Sequence, residues 1–281
     1  MTLYNTFSYA HDNLPTTGIL LTNLGTPDAP TPSALRRYLG EFLADPRITE
    51  MPRWLWMLIL HGIILRIRPR RSARNYQKIW TDSGSPLLNI SQAQAQALQQ
   101  ALKTHFSSPM MIAVGMRYGN PSIATGLEQL RQANARRILI LPLYPQYSAS
   151  TTGSTFDALA SVLKHWRWLP DVRFVSHYHD HPPYIQALTT QIKNYWAKQG
   201  TPDKLLFSFH GIPKRFFLAG DPYHCECHKT ARLVAQQLDL SEEKWQVVFQ
   251  SRFGREEWLK PYTDQTLAAL GNAGVKRVDV I

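Results

Sequence analysis

The sequence predicts an α/β protein built on parallel sheets. Short runs rich in Val, Ile and Leu alternate with longer segments of helical period, the pattern of successive βα units. Most runs are continuously apolar instead of alternating, as strands covered on both faces are. Many helical segments open on Ser, Thr, Asn or Pro, which helix starts favour.

In chain order the expected strands span 18–23, 110–115, 137–142, 172–177, 205–209, 245–250 and 277–281. Helices are expected to begin near Thr31, Ser91, Pro121, Thr151, Pro183, Tyr223 and Pro261. The stretch 182–201 reads as a helix joining a first unit, 1–181, to a second, 182–281. The last run stops at Ile281 with no helix to cover it, so the chain reads as truncated there, with apolar surface near 278–281 left exposed.

With 281 residues, 44% of them hydrophobic, the chain can bury a large core, and two compact units suit that length better than one. A formal charge of +11 favours an anionic partner: nucleic acid, anionic lipid or a carboxylate-bearing small molecule. The basic residues from Arg66 to Arg74 lack a nucleic-acid reading module, so nucleic acid is a weaker option resting on charge alone and is not expected as a partner. Cys225 and Cys227, one residue apart, are too close for an unstrained disulfide, and a reducing cytoplasm fits them. The N-terminus carries Asp12 and lacks an apolar leader or an Arg-rich presequence, so neither secretion nor import is expected.

The longest apolar stretch, 54–67, falls short of the ~20 residues of a spanning helix. Trp54 and Trp56 at one end and Arg66, Arg68, Arg70 and Arg71 at the other suit a membrane interface across 54–71; a buried helix with a solvated basic end reads as well. No strand is followed by GxGxxG or GxxxxGK[ST], which disfavours nucleotide cofactors.

Ligands of open parallel sheets sit beyond the carboxyl ends of the strands. In Ser208-Phe209-His210-Gly211-Ile212-Pro213 a strand delivers a histidine to its end and a turn follows. That histidine either exchanges protons near neutral pH or only bonds the turn. The strings 141–148 and 150–153 supply tyrosines and hydroxyls that line an apolar cleft or merely cap and pack. Arg117 offers a carboxylate fork and Tyr118 a stacking ring; a surface salt bridge is the plainer role for Arg117. Residues 250–254 with Trp258, Pro261 and Tyr262 place aromatics beside positive charge, as core or as pocket wall.

His177, His179 and His181 alternate, as ligands on one face of an extended chain do, or they form a solvated loop. His224-Cys225-Glu226-Cys227-His228 looks like a metal knuckle without its second pair; thiols on a helix's first turn explain it equally.

Taken in order, NLGTPDAPTP from Asn23, GSPL from Gly84, LYPQYSASTTG from Leu143, SFHGIP from Ser208, GDPY from Gly220 and QSRFGREEWLKPYTD from Gln250 resemble bacterial ferrochelatases over residues 17–281. The resemblance implies a chelatase-like fold of two doubly wound parallel-sheet domains with the active-site cleft between them. It implies insertion of ferrous iron into protoporphyrin IX to give protoheme, with His210 as pyrrole proton acceptor and iron contact. Leu24, Arg68, Tyr76, Ser85, Arg117, Tyr118 and Trp258 would touch the substrate, with Leu24, Phe42 and Leu43 as an apolar lip. Relatives acting on coproporphyrin often carry tyrosine where Leu24 stands, which favours protoporphyrin. No permanent cofactor is expected, iron being substrate, and two cysteines are too few for an iron-sulfur cluster. The family's active-site glutamate would fall beyond Ile281, so a second reading is a porphyrin-binding but catalytically impaired fragment; a related cobalt chelatase is a third. The protein is expected in the cytoplasm, with peripheral membrane contact through 54–71.

Overall fold

The computed structural model describes residues 14–281. The reading of the N-terminus around Asp12 lies outside them. Each of the seven expected strands forms, in two all-parallel sheets.

In the first, β1 (Thr16–Thr26) runs between β2 (Met110–Gly119) and β3 (Ala135–Pro142), and β4 (Asp171–Phe174) closes the edge beside β3. Successive side chains of a strand point to opposite faces, and β1 shows the consequence. Leu20 packs with Leu127 and Leu130 of α5 (Ile123–Gln132) and Leu159 of α6 (Ser154–Leu163). Ile19 and Leu21 pack with Ala95, Leu98 and Leu102 of α4 (Pro86–Lys103). Helices therefore cover both faces, and β1 and β3 can be apolar on both sides. At Gly126 in α5 a Cβ would lie 2.6 Å from Leu20 Cδ1 and 3.1 Å from Val114 O, so a larger residue would have to displace the Leu20 side chain.

Three further helices build a satellite core: α1 (Pro32–Leu43), α2 (Arg53–Ile59) and α3 (Leu65–Ile79), with the π-helical turn Leu60–Ile64 between the last two. Leu35, Tyr38, Leu39, Leu60, Leu65 and Tyr118 meet there. Pro69 sits inside α3 and has no N–H for the carbonyl four residues earlier, that of Leu65. Arg36 Nε donates to that carbonyl instead, at 3.0 Å. The opposite face stays open: Trp54, Leu58, Ile63 and Ile67 are exposed. Among the described residues no helix is long and apolar enough to cross a membrane.

The second sheet has order β6 (Trp245–Gln250), β5 (Lys204–His210), β7 (Val278–Val280). Leu205, Phe207, Val247 and Phe249 pack with α7 (Pro182–Gln199) and α9 (Tyr223–Gln237); Leu206 and Val248 are buried on the other face, where α10 (Thr263–Asn272) follows β6. A short α8 (Lys214–Leu218) follows β5. Val280 and Ile281 are exposed, as expected of the last run.

The chain divides into two compact units, one of residues up to Tyr144 with Ala149–Ser176, the other of Pro145–Ser148 with His177–Ile281. The helix α7 belongs wholly to the second.

Candidate active site

β5 is the inner strand of its sheet and ends on His210, whose side chain reaches solvent. Beyond it the backbone is laced to a distant segment: Gly211 N donates to Gln250 O at 2.8 Å, Lys214 N to Glu257 O at 2.9 Å and Leu259 N to Ile212 O at 3.0 Å. This lacing sets Trp258 beside His210, ring centroids 6.4 Å apart, with the exposed Phe253 4.9 Å beyond. Gly211 suits the close approach, because a Cβ there would stand 3.0 Å from Gln250 O and 3.2 Å from the Trp258 ring, and those neighbours would have to give way.

His210 Nδ1 lies 2.7 Å from the carbonyl oxygen of Gly211. A carbonyl only accepts, so Nδ1 carries the hydrogen and the neutral ring keeps its lone pair on Nε2. Of the two readings of this residue, the bond to the turn forms, and it leaves Nε2 for the other.

The first unit gathers another set. Leu24, Phe42 and Tyr76 border the satellite core together with Tyr38 and Tyr118. Phe42 stacks on Tyr38 at 6.2 Å and meets Tyr118 edge-on at 5.0 Å. Tyr38 Oη donates to Gly25 O at 3.1 Å, and a Cβ on Gly25 (φ +105°) would collide with Tyr118 O, which fixes the turn carrying Leu24. Burial pushes the Tyr38, Tyr76 and Tyr118 hydroxyls above the usual phenol range.

The ferrochelatase family model matches residues 16–281. The chain belongs to the ferrochelatase family. Ferrochelatase of Marinobacter nauticus is 57% identical over 273 residues, 97% of this chain and 74% of that protein. Ferrochelatase of Nitrosococcus oceani is 58% identical over the same shares. Among solved structures, SirB from Bacillus subtilis with Fe3+ aligns with a TM-score of 0.50 and 13% identity over 91% of this chain and 71% of that one, a likeness of fold.

Of the contacts expected of a ferrochelatase, Arg117 and Tyr118 turn inward in this structure. Tyr118 is fully buried, so it presents no ring for stacking, and its hydroxyl donates to Asp45 Oδ2 at 2.8 Å. Arg117 also spends its guanidinium inward, on Asp45 and on Ser154 O and Oγ. Its pair with Asp45 is buried, not the surface bridge that was the plainer reading. Burial works to raise the Asp45 pKa, but hydrogen bonds from Ser154, the Arg47 backbone and Tyr118, with the Arg117 charge, hold it below its ordinary value. Nothing local announces this network, since Asp45 lies 72 residues before Arg117. Leu43 is buried in the satellite core. Ser85, before the first turn of α4, is buried and makes no side-chain cap, while Arg68 is exposed on α3.

The knuckle string 224–228 does not converge. It lies on α9, where Cys227 is buried in the core, Cys225 is exposed, and His224 and His228 pack at Phe249. Glu226 turns elsewhere, to His177 and His179, a convergence that sequence reading missed; His181 instead precedes α7 and is exposed. A surface hollow of about 560 Å³ is lined by Arg252, Glu256, Glu257 and Lys260 among others. His210 is not among its lining residues, whereas Phe253 and Tyr262 are.

Proposed function

We propose that this ferrochelatase-family protein inserts ferrous iron into protoporphyrin IX in heme biosynthesis, with Nε2 of His210 accepting the pyrrole protons. Insertion exchanges two pyrrolic protons for one Fe2+. A base must therefore take each proton from nitrogen and return it to solvent before the next. His210 meets both demands: its Nδ1–H is committed to Gly211 O, its Nε2 carries a lone pair, and its ring is solvent-accessible. That hydrogen bond is the observation that carries the assignment. It also stabilises the imidazolium formed after each transfer, because Nδ1 still has its acceptor.

Trp258 and Phe253 give the imidazole an apolar border suited to a flat macrocycle. In the first unit Leu24, Phe42 and Tyr76 supply apolar contact, and Leu24 in place of tyrosine favours protoporphyrin over coproporphyrin. Arg68, exposed and cationic, suits a propionate. The protein works in the cytoplasm, in keeping with its free cysteines, and touches the membrane through the open face of α2 and α3, where Trp54, Leu58, Ile63 and Ile67 adjoin Arg66, Arg70 and Arg71.

The test is anaerobic iron insertion by wild type and His210→Ala, with porphyrin binding followed by fluorescence. Loss of insertion by about 10²–10⁴-fold with binding retained is expected of a missing general base. Equal insertion rates would end the assignment.

A further inference from the structure

The second unit holds a cluster to which the proposed function assigns no role. His177 and His179 lie on the loop between β4 and α7, and Glu226 on the first turn of α9. His177 Nδ1 is 2.6 Å from Glu226 Oε1, and His179 Nδ1 is 3.3 Å from Oε2. One ligand-capable atom from each of the three residues lies within 4.8 Å of the others.

Three features distinguish this cluster from an ordinary ion pair. His179 Nδ1 is buried and close to a carboxylate oxygen, yet it makes no hydrogen bond, which is how a nitrogen lone pair facing an oxygen behaves. Second, a tetrahedral ion with bonds of about 2.0–2.1 Å has ligand-to-ligand edges of about 3.3–3.4 Å. The His179–Glu226 separation matches such an edge. Third, Glu226 has outer support: the Tyr147 backbone N–H donates to its Oε2 at 2.6 Å.

We infer that His177, His179 and Glu226 form a binding site for a divalent transition-metal ion, with water completing the coordination. Two imidazoles and one carboxylate suit zinc, cobalt, nickel or ferrous iron, and magnesium or calcium poorly. Glu226 and His179 are buried and fixed, whereas the His177 side chain is 51% exposed. His177 is the ligand that moves: its contact with Glu226 opens, the ion enters from solvent, and the ring closes on it. A bound ion ties the loop between β4 and α7 to the first turn of α9.

Cobalt(II) is the probe. Equilibrium dialysis and visible absorption are compared for wild type, His177→Ala, Glu226→Gln and His210→Ala, with thermal melting of each. Wild type is expected to hold one tight equivalent that survives His210→Ala and raises its melting temperature. His177→Ala should weaken that equivalent by at least about 10–100-fold, the range already seen when an outer-shell partner is lost. Because Glu226→Gln disturbs a buried network, the exposed His177 is the deciding position. The site is refuted if His177→Ala binds cobalt as wild type does, or if the only cobalt taken up is lost with His210. Either result leaves the assignment of His210 to iron insertion untouched, since that rests on its own assay.

Discussion

Replacing Asp45 by alanine should destabilise the first unit by about 3–5 kcal/mol, the cost of leaving a buried charge without its partner. The Arg117 and Asp45 side chains are 17% and 3% exposed, so water replaces little of what the carboxylate supplies. Tyr118 Oη, fully buried, loses its acceptor as well; Ser154 Oγ at 3.1 Å retains part of that bond and keeps the total within the stated range. For a unit of this size each kcal/mol moves the melting temperature by about 2–4 °C, so a fall of roughly 6–20 °C is expected by calorimetry. Tyr118→Phe removes only the hydroxyl and should cost about 1–2 kcal/mol with little change in the KM for porphyrin. Two results would refute this reasoning. Asp45→Ala melting within about 2 °C of wild type would show the network to be slack. A large KM rise in Tyr118→Phe at unchanged stability would return Tyr118 to the substrate.

The depressed Asp45 pKa predicts an acid limb. Its contribution is complete above the unfolded carboxyl value of about 3.9 and is lost as pH falls through the lower folded value, so melting temperatures measured from roughly pH 5 to 3 should fall less in Asp45→Asn than in wild type. Gly211→Ala places a methyl against Gln250 O and Trp258, an overpacking of about 1–3 kcal/mol, and should depress iron insertion with His210 intact; wild-type activity and melting would show that the turn yields freely. Trp54→Glu with Ile67→Glu should weaken sedimentation with anionic vesicles on the order of 100-fold, whereas unchanged binding would move membrane contact away from α2 and α3.

The strands were legible because residues such as Leu20, Ile140 and Val248 are buried within parallel sheets, where an apolar run has few alternatives. Helix starts were read less well. The helix expected at Ser91 begins at Pro86, and Ser91 Oγ instead bonds Leu87 O inside it. The five-residue α8 carries too little periodicity to see. The place of His210 at a strand end was legible since strand, histidine, glycine and proline are contiguous. Asp45 with Arg117, and Glu226 with His177 and His179, were not, because each pairing joins segments dozens of residues apart and no single window contains both halves.

The chain passes from one unit to the other at 144, returns at 148 and passes again at 176. In that brief visit Gln146 reaches Thr230, the Tyr147 amide reaches Glu226 and Ser148 reaches Asp221. During synthesis these three residues emerge 73 to 84 positions ahead of the groups that answer them. A ribosome halted before α9 therefore leaves the strap untied, and a fragment beginning at His177 lacks it altogether. The second unit is coded in two pieces, and no single cut in the gene yields it whole.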